Sequence, residues 1–190
     1  KENKIFIHGN GLNSLSQSKK DIYLGNSGTS ARLLTGLFAS QSFDTVIQGD
    51  KSLSSRPMNR ILKPLEKMGA KFESKNGNLP IKIKGTKLKN CTIEIEIPSA
   101  QIKSGLMLAA INTTGISKII EKNITRDHTE NMLKSFGAKI NIEKNGSESL
   151  ITIDGKHELN ANNIDVPSDF IDVNVHPGKT EVRFQDNAHL

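Results

Sequence analysis

The chain contains one cysteine, no tryptophan, few aromatic residues (4%) and no run of eighteen or more apolar residues. Each shortage excludes a class of protein. A lone thiol, Cys91, rules out an internal disulfide framework and any multi-cysteine metal site, and it reads as an ordinary strand residue. Without a long apolar run there is no candidate membrane-spanning helix, and residues 1–15 lack the apolar stretch of an export signal, so a cytoplasmic protein with no membrane association is expected. With so few aromatics and no basic run longer than two residues, stacking platforms and polybasic tails are both missing, which argues against nucleic acid as a partner.

Arginine is also scarce. Of 26 Lys+Arg residues only five are Arg, namely Arg32, Arg56, Arg60, Arg126 and Arg183. Lysine serves as a generic solvated charge, whereas a planar fork is needed where carboxylate or phosphate is gripped by two parallel hydrogen bonds. The five arginines are therefore candidate anion contacts, and the plainer reading of each is a surface charge. With 20 Asp+Glu the net charge is +6, which fits either a nucleic-acid surface or a positive cleft for a small, multiply anionic substrate, and the shortages above favour the latter. At 190 residues and 35% hydrophobic, the chain can build one large domain or two small ones.

An internal repeat organises most of it. KMGAKFESKNGNLPIKIKG (67–85) recurs as SFGAKINIEKNGSESLITIDG (135–155) with a two-residue insertion, and upstream SGTSARLLTGLFA (27–39) answers SAQIKSGLMLAA (99–110). Each unit reads as a helix, a strand (45–48; 117–121), a polar loop, a helix ending at Gly69 or Gly137, and two strands (71–74 and 81–84; 139–143 and 150–153). Gly69 and Gly137 suit the left-handed position that ends a helix, and Asn76-Gly77 and Asn145-Gly146 suit tight hairpins. Pro57 fits a first helical turn, while Pro64 falls inside the same helix and predicts a bend or a lost hydrogen bond. The expected fold is an incomplete α+β domain of repeated βαβαββ-like units with pseudo-symmetry, its second and fourth helices burying Ile61, Leu62, Leu65 and Met68, and Met132, Leu133 and Phe136. Pseudo-symmetry points the two first-helix N-termini toward one axis, where unpaired N–H groups and helix dipoles make an anion site. The alternative is that Ser27 and Ser99 are ordinary caps.

LGNSGTSARLLTG (24–36), GDKSLSSRPMNR (49–60), PSAQIKSGLMLAA (98–110) and TRDHTENML (125–133) resemble, in order, the motifs of the EPSP synthase family, and NNIDVPSD (162–169) is similar to its VPGD joint. The resemblance covers residues 1–170. It implies transfer of the enolpyruvyl group of phosphoenolpyruvate to the 5-hydroxyl of shikimate 3-phosphate, without metal or organic cofactor. It assigns phosphoenolpyruvate contacts to Gly28 and Arg56, shikimate-phosphate contacts to Ser99, Ala100 and Arg126, and a position between both substrates to Gln101. Asn26, Thr29 and Arg32 shape the loop, and His128 is structural. The family's early Lys-Ser-x-x-x-Arg motif and the opposite domain, with its acidic and basic groups, are expected to lie outside these residues, so that domain is the natural intramolecular partner and this chain alone is expected to be inactive.

Residues 171–184, IDVNVHPGKTEVRF, instead resemble the DVNVHPxKxEVRF motif of MutL-type mismatch-repair ATPases, in which the Lys matching Lys179 reaches the ATP γ-phosphate. The expectation is a fused, unrelated tail over 171–190, either poorly ordered or an added edge strand. It motivates a second hypothesis, a mismatch-repair or nucleic-acid interaction fragment, which predicts DNA affinity with a steep salt slope.

Overall fold

The computed structural model describes residues 7–164 and, for the backbone alone, 171–176 and 179–184. The first unit runs β1 (Ile22–Tyr23), α1 (Gly28–Ala39), β2 (Thr45–Gln48), α2 (Lys51–Ser54), α3 (Asn59–Lys67), β3 (Lys71–Lys75) and β4 (Asn78–Lys84). The second runs β5 (Thr92–Ile95), α4 (Ala100–Ile111), β6 (Gly115–Glu121), α5 (His128–Ser135), β7 (Lys139–Asn145) and β8 (Glu148–Gly155). Their sheets have one topology, β1-β2-β4-β3 and β5-β6-β8-β7, each with a parallel first pair and antiparallel partners beyond it. The repeated βαβαββ pattern is thus a repeated sheet.

The helices lie between the two sheets: α1 packs on β2 and β4, α4 on β6 and β8, and α1 and α4 pack on each other. Helix α4, AQIKSGLMLAAI, is apolar on nearly every side and is buried from Ile102 to Met107 and again from Ala109 to Ile111, as a helix without a polar face must be. The two helices touch backbone to backbone, because a Cβ at Gly36 would lie 2.5 Å from the carbonyl carbon of Gly105, and one at Gly105 would lie 2.7 Å from the Arg32 carbonyl oxygen.

The turn chemistry follows the sequence closely. After α3 the Ala70 N–H reaches Leu65 O and the Gly69 N–H reaches Glu66 O, while after α5 Ala138 reaches Leu133 and Gly137 reaches Lys134. With φ of +97° and +80°, Gly69 and Gly137 close the same Schellman motif twice. Asn76 and Gly77 both have positive φ in a two-residue hairpin. In the second hairpin the two-residue loop is Gly146-Ser147 instead, because Asn145 pairs with Glu148 and only Gly146 is left-handed.

Four local expectations are corrected. The polar loop after β2 contains α2, capped where Asp50 Oδ1 accepts from the Leu53 N–H at 2.7 Å. Pro57 precedes the cap residue Met58 and lies outside α3, whereas Pro64 does fall inside α3, where its missing N–H removes one intrahelical hydrogen bond as expected. Ile61, Leu62, Leu65, Met68 and Leu133 are buried, but Met132 is 50% exposed and Phe136 only half-buried, since α5 presents little more than Leu133 and Glu130 inward. Cys91 sits just before β5, where burial pushes its thiol pKa up.

Strands β9 (Ile171–His176) and β10 (Lys179–Phe184) pair with each other antiparallel in a separate two-stranded sheet, not as an added edge of either larger sheet. Among the described residues no helix is long and apolar enough to cross a membrane.

Candidate functional site

Parallel pairing decides where the predicted residues gather. Tyr23 of β1 faces Gln48 of β2, and Ile95 of β5 faces Glu121 of β6, so in each unit both strands of the parallel pair end at the same edge of the sheet. The loops leaving that edge carry Asn26 and Arg56 in the first unit and Ser99 and Arg126 in the second. This edge is where ligands collect in open sheets with parallel strands, because loops and helix N-termini converge there.

In the first unit, the Ser27 side chain accepts from the Ser30 N–H at 3.1 Å and caps α1. Arg32 folds back to donate to the Gly28 carbonyl at 2.9 Å, and Arg56 donates to Asn26 Oδ1 at 2.6 Å. A Cβ on Gly28 would lie 2.8 Å from Arg32 Nη1 and 3.3 Å from Arg56 Nη1, so both guanidinium groups crowd the first turn. Burial, then the neighbouring charges of Arg56 and Arg60, lower the Arg32 pKa. Neither α1 nor α4 has an acidic residue in its first turn, and none of the ion pairs formed among the described residues includes Arg32, Arg56, Arg60 or Arg126. Three clustered cations at a positive helix end make a region that attracts anions.

In the second unit, Ser99 caps α4 by accepting from the Ile102 N–H at 3.4 Å. Both serines are therefore caps, and capping leaves the N–H groups of the next two residues outside the intrahelical pattern. The two N-termini meet where Gln101 Nε2 donates to Thr29 Oγ1 at 2.8 Å, a bond across 72 positions of sequence. Asn26, Gly28, Thr29, Arg32, Arg56 and Gln101 form one continuous cluster. Ala100 opens the second helix beside it.

Arg126 is exposed on the loop between β6 and α5, which is tied to α4 where Lys103 Nζ donates to the Thr125 carbonyl at 3.3 Å. His128 begins α5 and is exposed. Arg60 is exposed on α3, and the Arg183 side chain lies outside the described residues. The sequence reading missed the anchor beneath this loop. Lys103 pairs with Glu130 Oε1 at 2.6 Å and Glu121 Oε2 at 3.0 Å, and all three are almost fully buried. A lone charged residue, Lys103, within a largely apolar helix was the signal for it.

No group of three or more His, Cys, Asp or Glu among the described residues is arranged to hold a metal ion. A cavity of about 360 Å³ is lined by Ser40, Gln41, Thr86, Asn112 and Lys156, among others, at the opposite ends of α1 and α4. None of the predicted residues lines it.

Comparison with known proteins places this geometry in a family. Residues 1–175 match the family described as EPSP synthase (3-phosphoshikimate 1-carboxyvinyltransferase). A 3-phosphoshikimate 1-carboxyvinyltransferase from Vesicomyosocius okutanii is 48% identical over 166 residues, covering 87% of this chain and 37% of the relative. That from Leuconostoc citreum is 46% identical over 171 residues, covering 88% and 38%. An EPSP synthase structure from Acinetobacter baumannii superposes with a TM-score of 0.77 at 43% identity, covering 85% of this chain and 36% of that one. The chain spans little more than a third of the length of these relatives. The comparisons lend no support to the mismatch-repair likeness of the tail or to the nucleic-acid reading, and the family match runs five residues past the expected boundary at Phe170. By sequence, by fold and by the order of its motifs, the chain belongs to the EPSP synthase family.

Proposed function

We propose that this chain supplies one side of the substrate site of a 3-phosphoshikimate 1-carboxyvinyltransferase, which moves the enolpyruvyl group of phosphoenolpyruvate to the 5-hydroxyl of shikimate 3-phosphate and releases phosphate. The observation that carries the reading is the Gln101–Thr29 bond, which joins two helix N-termini flanked by arginines and free of first-turn acids. Both substrates bear a phosphate and a carboxylate, and oriented N–H groups and guanidinium forks match those groups.

In this reading Gly28 and Arg56 receive phosphoenolpyruvate, the missing Cβ of Gly28 leaving room beside the two guanidinium groups. Ser99, the Ala100 backbone and Arg126 hold the phosphate of shikimate 3-phosphate, and Gln101 stands between the substrates. Asn26, Thr29 and Arg32 orient these groups through the contacts described above. Residues 1–170 carry the site. The acid–base groups and the surface that excludes water are assigned to the part of the relatives that this chain does not span, so substrate binding is the property to measure here.

The test is thermal unfolding at low salt with and without shikimate 3-phosphate, with Arg126→Ala alongside. Ligand at about a hundred times Kd adds roughly 2.7 kcal/mol, raising Tm by about 5–10 °C. Loss of the shift in Arg126→Ala supports the assignment. A cooperative melt that shikimate 3-phosphate leaves unmoved refutes substrate binding by this chain.

A further inference from the structure

We infer that Lys103, with Glu121 and Glu130, is a positioning device that holds the Arg126 loop at a fixed distance from the first turn of α4. The inference rests on the proposed role of Arg126 and adds residues that touch no substrate. Three separate elements converge on it. Lys103 lies in the first turn of α4, at a position buried to 1% exposure in a helix with no other charged residue. Glu121 ends β6 on its helix-facing side, because the period of two that turns Ser117 and Ile119 inward turns Glu121 inward as well. Glu130 is the third residue of α5, where a carboxylate favours the helix N-terminus, yet its Oε1 reaches Lys103 at 2.6 Å.

The remaining bonds all run to the loop or its anchors. Lys103 Nζ donates to the Thr125 carbonyl at 3.3 Å, one residue before Arg126, and Thr125 Oγ1 donates to Glu121 Oε1 at 2.6 Å. Ser149, opposite Glu121 across the β6–β8 ladder, donates to Glu121 Oε2 at 3.0 Å, and the Ser104 and Thr129 hydroxyls bond at 2.6 Å. The ammonium thus grips the entry of the loop, the strand before it and the helix after it at one point.

A cheaper core was available. An apolar residue at position 103 paired with apolar residues at 121 and 130 avoids desolvating three charges, and such replacements are often neutral or stabilising. What the ionic cluster adds is direction: an ammonium with three donors fixes the Thr125 carbonyl, and apolar contacts do not. Glu130 Oε2 has no hydrogen-bond partner among the described residues, so the cluster is not optimised for stability alone.

The experiment is a double-mutant cycle on the 190-residue chain. Shikimate 3-phosphate affinity is measured for wild type, Lys103→Met, Arg126→Ala and the double variant, and amide hydrogen exchange is followed over residues 122–127 without ligand. Arg126→Ala is expected to weaken binding about 10- to 100-fold and Lys103→Met about tenfold, with the double variant no weaker than Arg126→Ala, because Lys103 acts through Arg126. Exchange in the loop rises in Lys103→Met while that in α1 stays unchanged. If Lys103→Met does not fold, Glu130→Gln, which keeps side-chain volume, replaces it in the same cycle. Additive losses, an unchanged affinity, or loop exchange equal to wild type overturns the positioning role while leaving the substrate site intact. Absence of saturable binding by wild type instead refutes the proposed function, and the exchange measurement still decides whether Lys103 tethers the loop.

Discussion

Substituting Gly36 by alanine tests the most specific packing statement in the structure. The added methyl would meet backbone: 2.5 Å from the Gly105 carbonyl carbon and 2.9 Å from its Cα. Carbon atoms pack at about 3.5–4.0 Å, so α1 and α4 must separate by roughly an ångström, and no rotamer change relieves it. Overpacking of this kind costs about 1–3 kcal/mol, and a backbone-on-backbone contact belongs at the upper end. Alanine returns about 0.8–1 kcal/mol of helix propensity relative to glycine, leaving a net loss near 2 kcal/mol. For a chain of this size that is a fall in Tm of about 4–8 °C. The reciprocal Gly105→Ala places its methyl 2.7 Å from the Arg32 carbonyl oxygen, at the same crossing. Once the helices have parted for one methyl the second costs less, so the double variant loses less than the sum of the singles. Separation also stretches the 2.8 Å Gln101–Thr29 bond, one turn from Gly105 along α4 and two from Gly36 along α1, and under the proposed function it lowers affinity for shikimate 3-phosphate. Circular-dichroism melts of the three variants measure the stability losses, and the same melts with shikimate 3-phosphate present measure the loss of affinity. A Gly36→Ala chain as stable as wild type, or more stable, refutes the close crossing.

Gly28→Ala presents its methyl to flexible guanidinium ends at 2.8 and 3.3 Å, so stability changes by less than about 1 kcal/mol, while under the proposed function protection by phosphoenolpyruvate in a thermal-shift titration falls about tenfold in apparent affinity. Gly69→Ala meets nothing within 4 Å but forces an alanine to φ +97°, a conformational cost of about 1–2 kcal/mol; a melt unchanged within a degree contradicts the left-handed cap. Asp44 accepts the Gly85 N–H at 3.0 Å, and that bond, aided by Lys84 and Lys82, lowers its carboxyl pKa. A depressed folded pKa stabilises above the unfolded value and loses that contribution as pH falls through the folded one. Wild type therefore melts above Asp44→Asn at neutral pH, and the two curves converge below about pH 4. A gap independent of pH excludes the carboxylate as its source.

Local chemistry was legible where it depends on neighbouring residues. The helix ends at Gly69 and Gly137, the caps at Ser27 and Ser99 and the first hairpin follow from side-chain and backbone preferences that act within a few positions. The second hairpin slipped by one residue because Gly146 alone supplies the left-handed conformation and Asn145 is free to pair. α2 was overlooked although Asp50 was present to cap it, since four residues carry no usable periodicity. Met132 was placed in the core by its spacing, but a two-turn helix lying over α4 and β7 covers only a narrow stripe. The cluster of Gly28, Arg32, Arg56 and Gln101 was assembled residue by residue from motifs; that Thr29 and Gln101 bond directly had no local signal.

By itself the sequence determined the repeat, the α+β class, the turns and which side chains are the candidates for gripping anions, because propensity, capping and motif spacing act along the chain. The tertiary structure decided that the two parallel pairs end at edges whose loops converge, that Gly36 and Gly105 let α1 and α4 touch, and that Lys103 is buried between two glutamates. Those outcomes depend on contacts between residues far apart in the chain, whose distances and desolvation exist only once the sheets have closed over the helices.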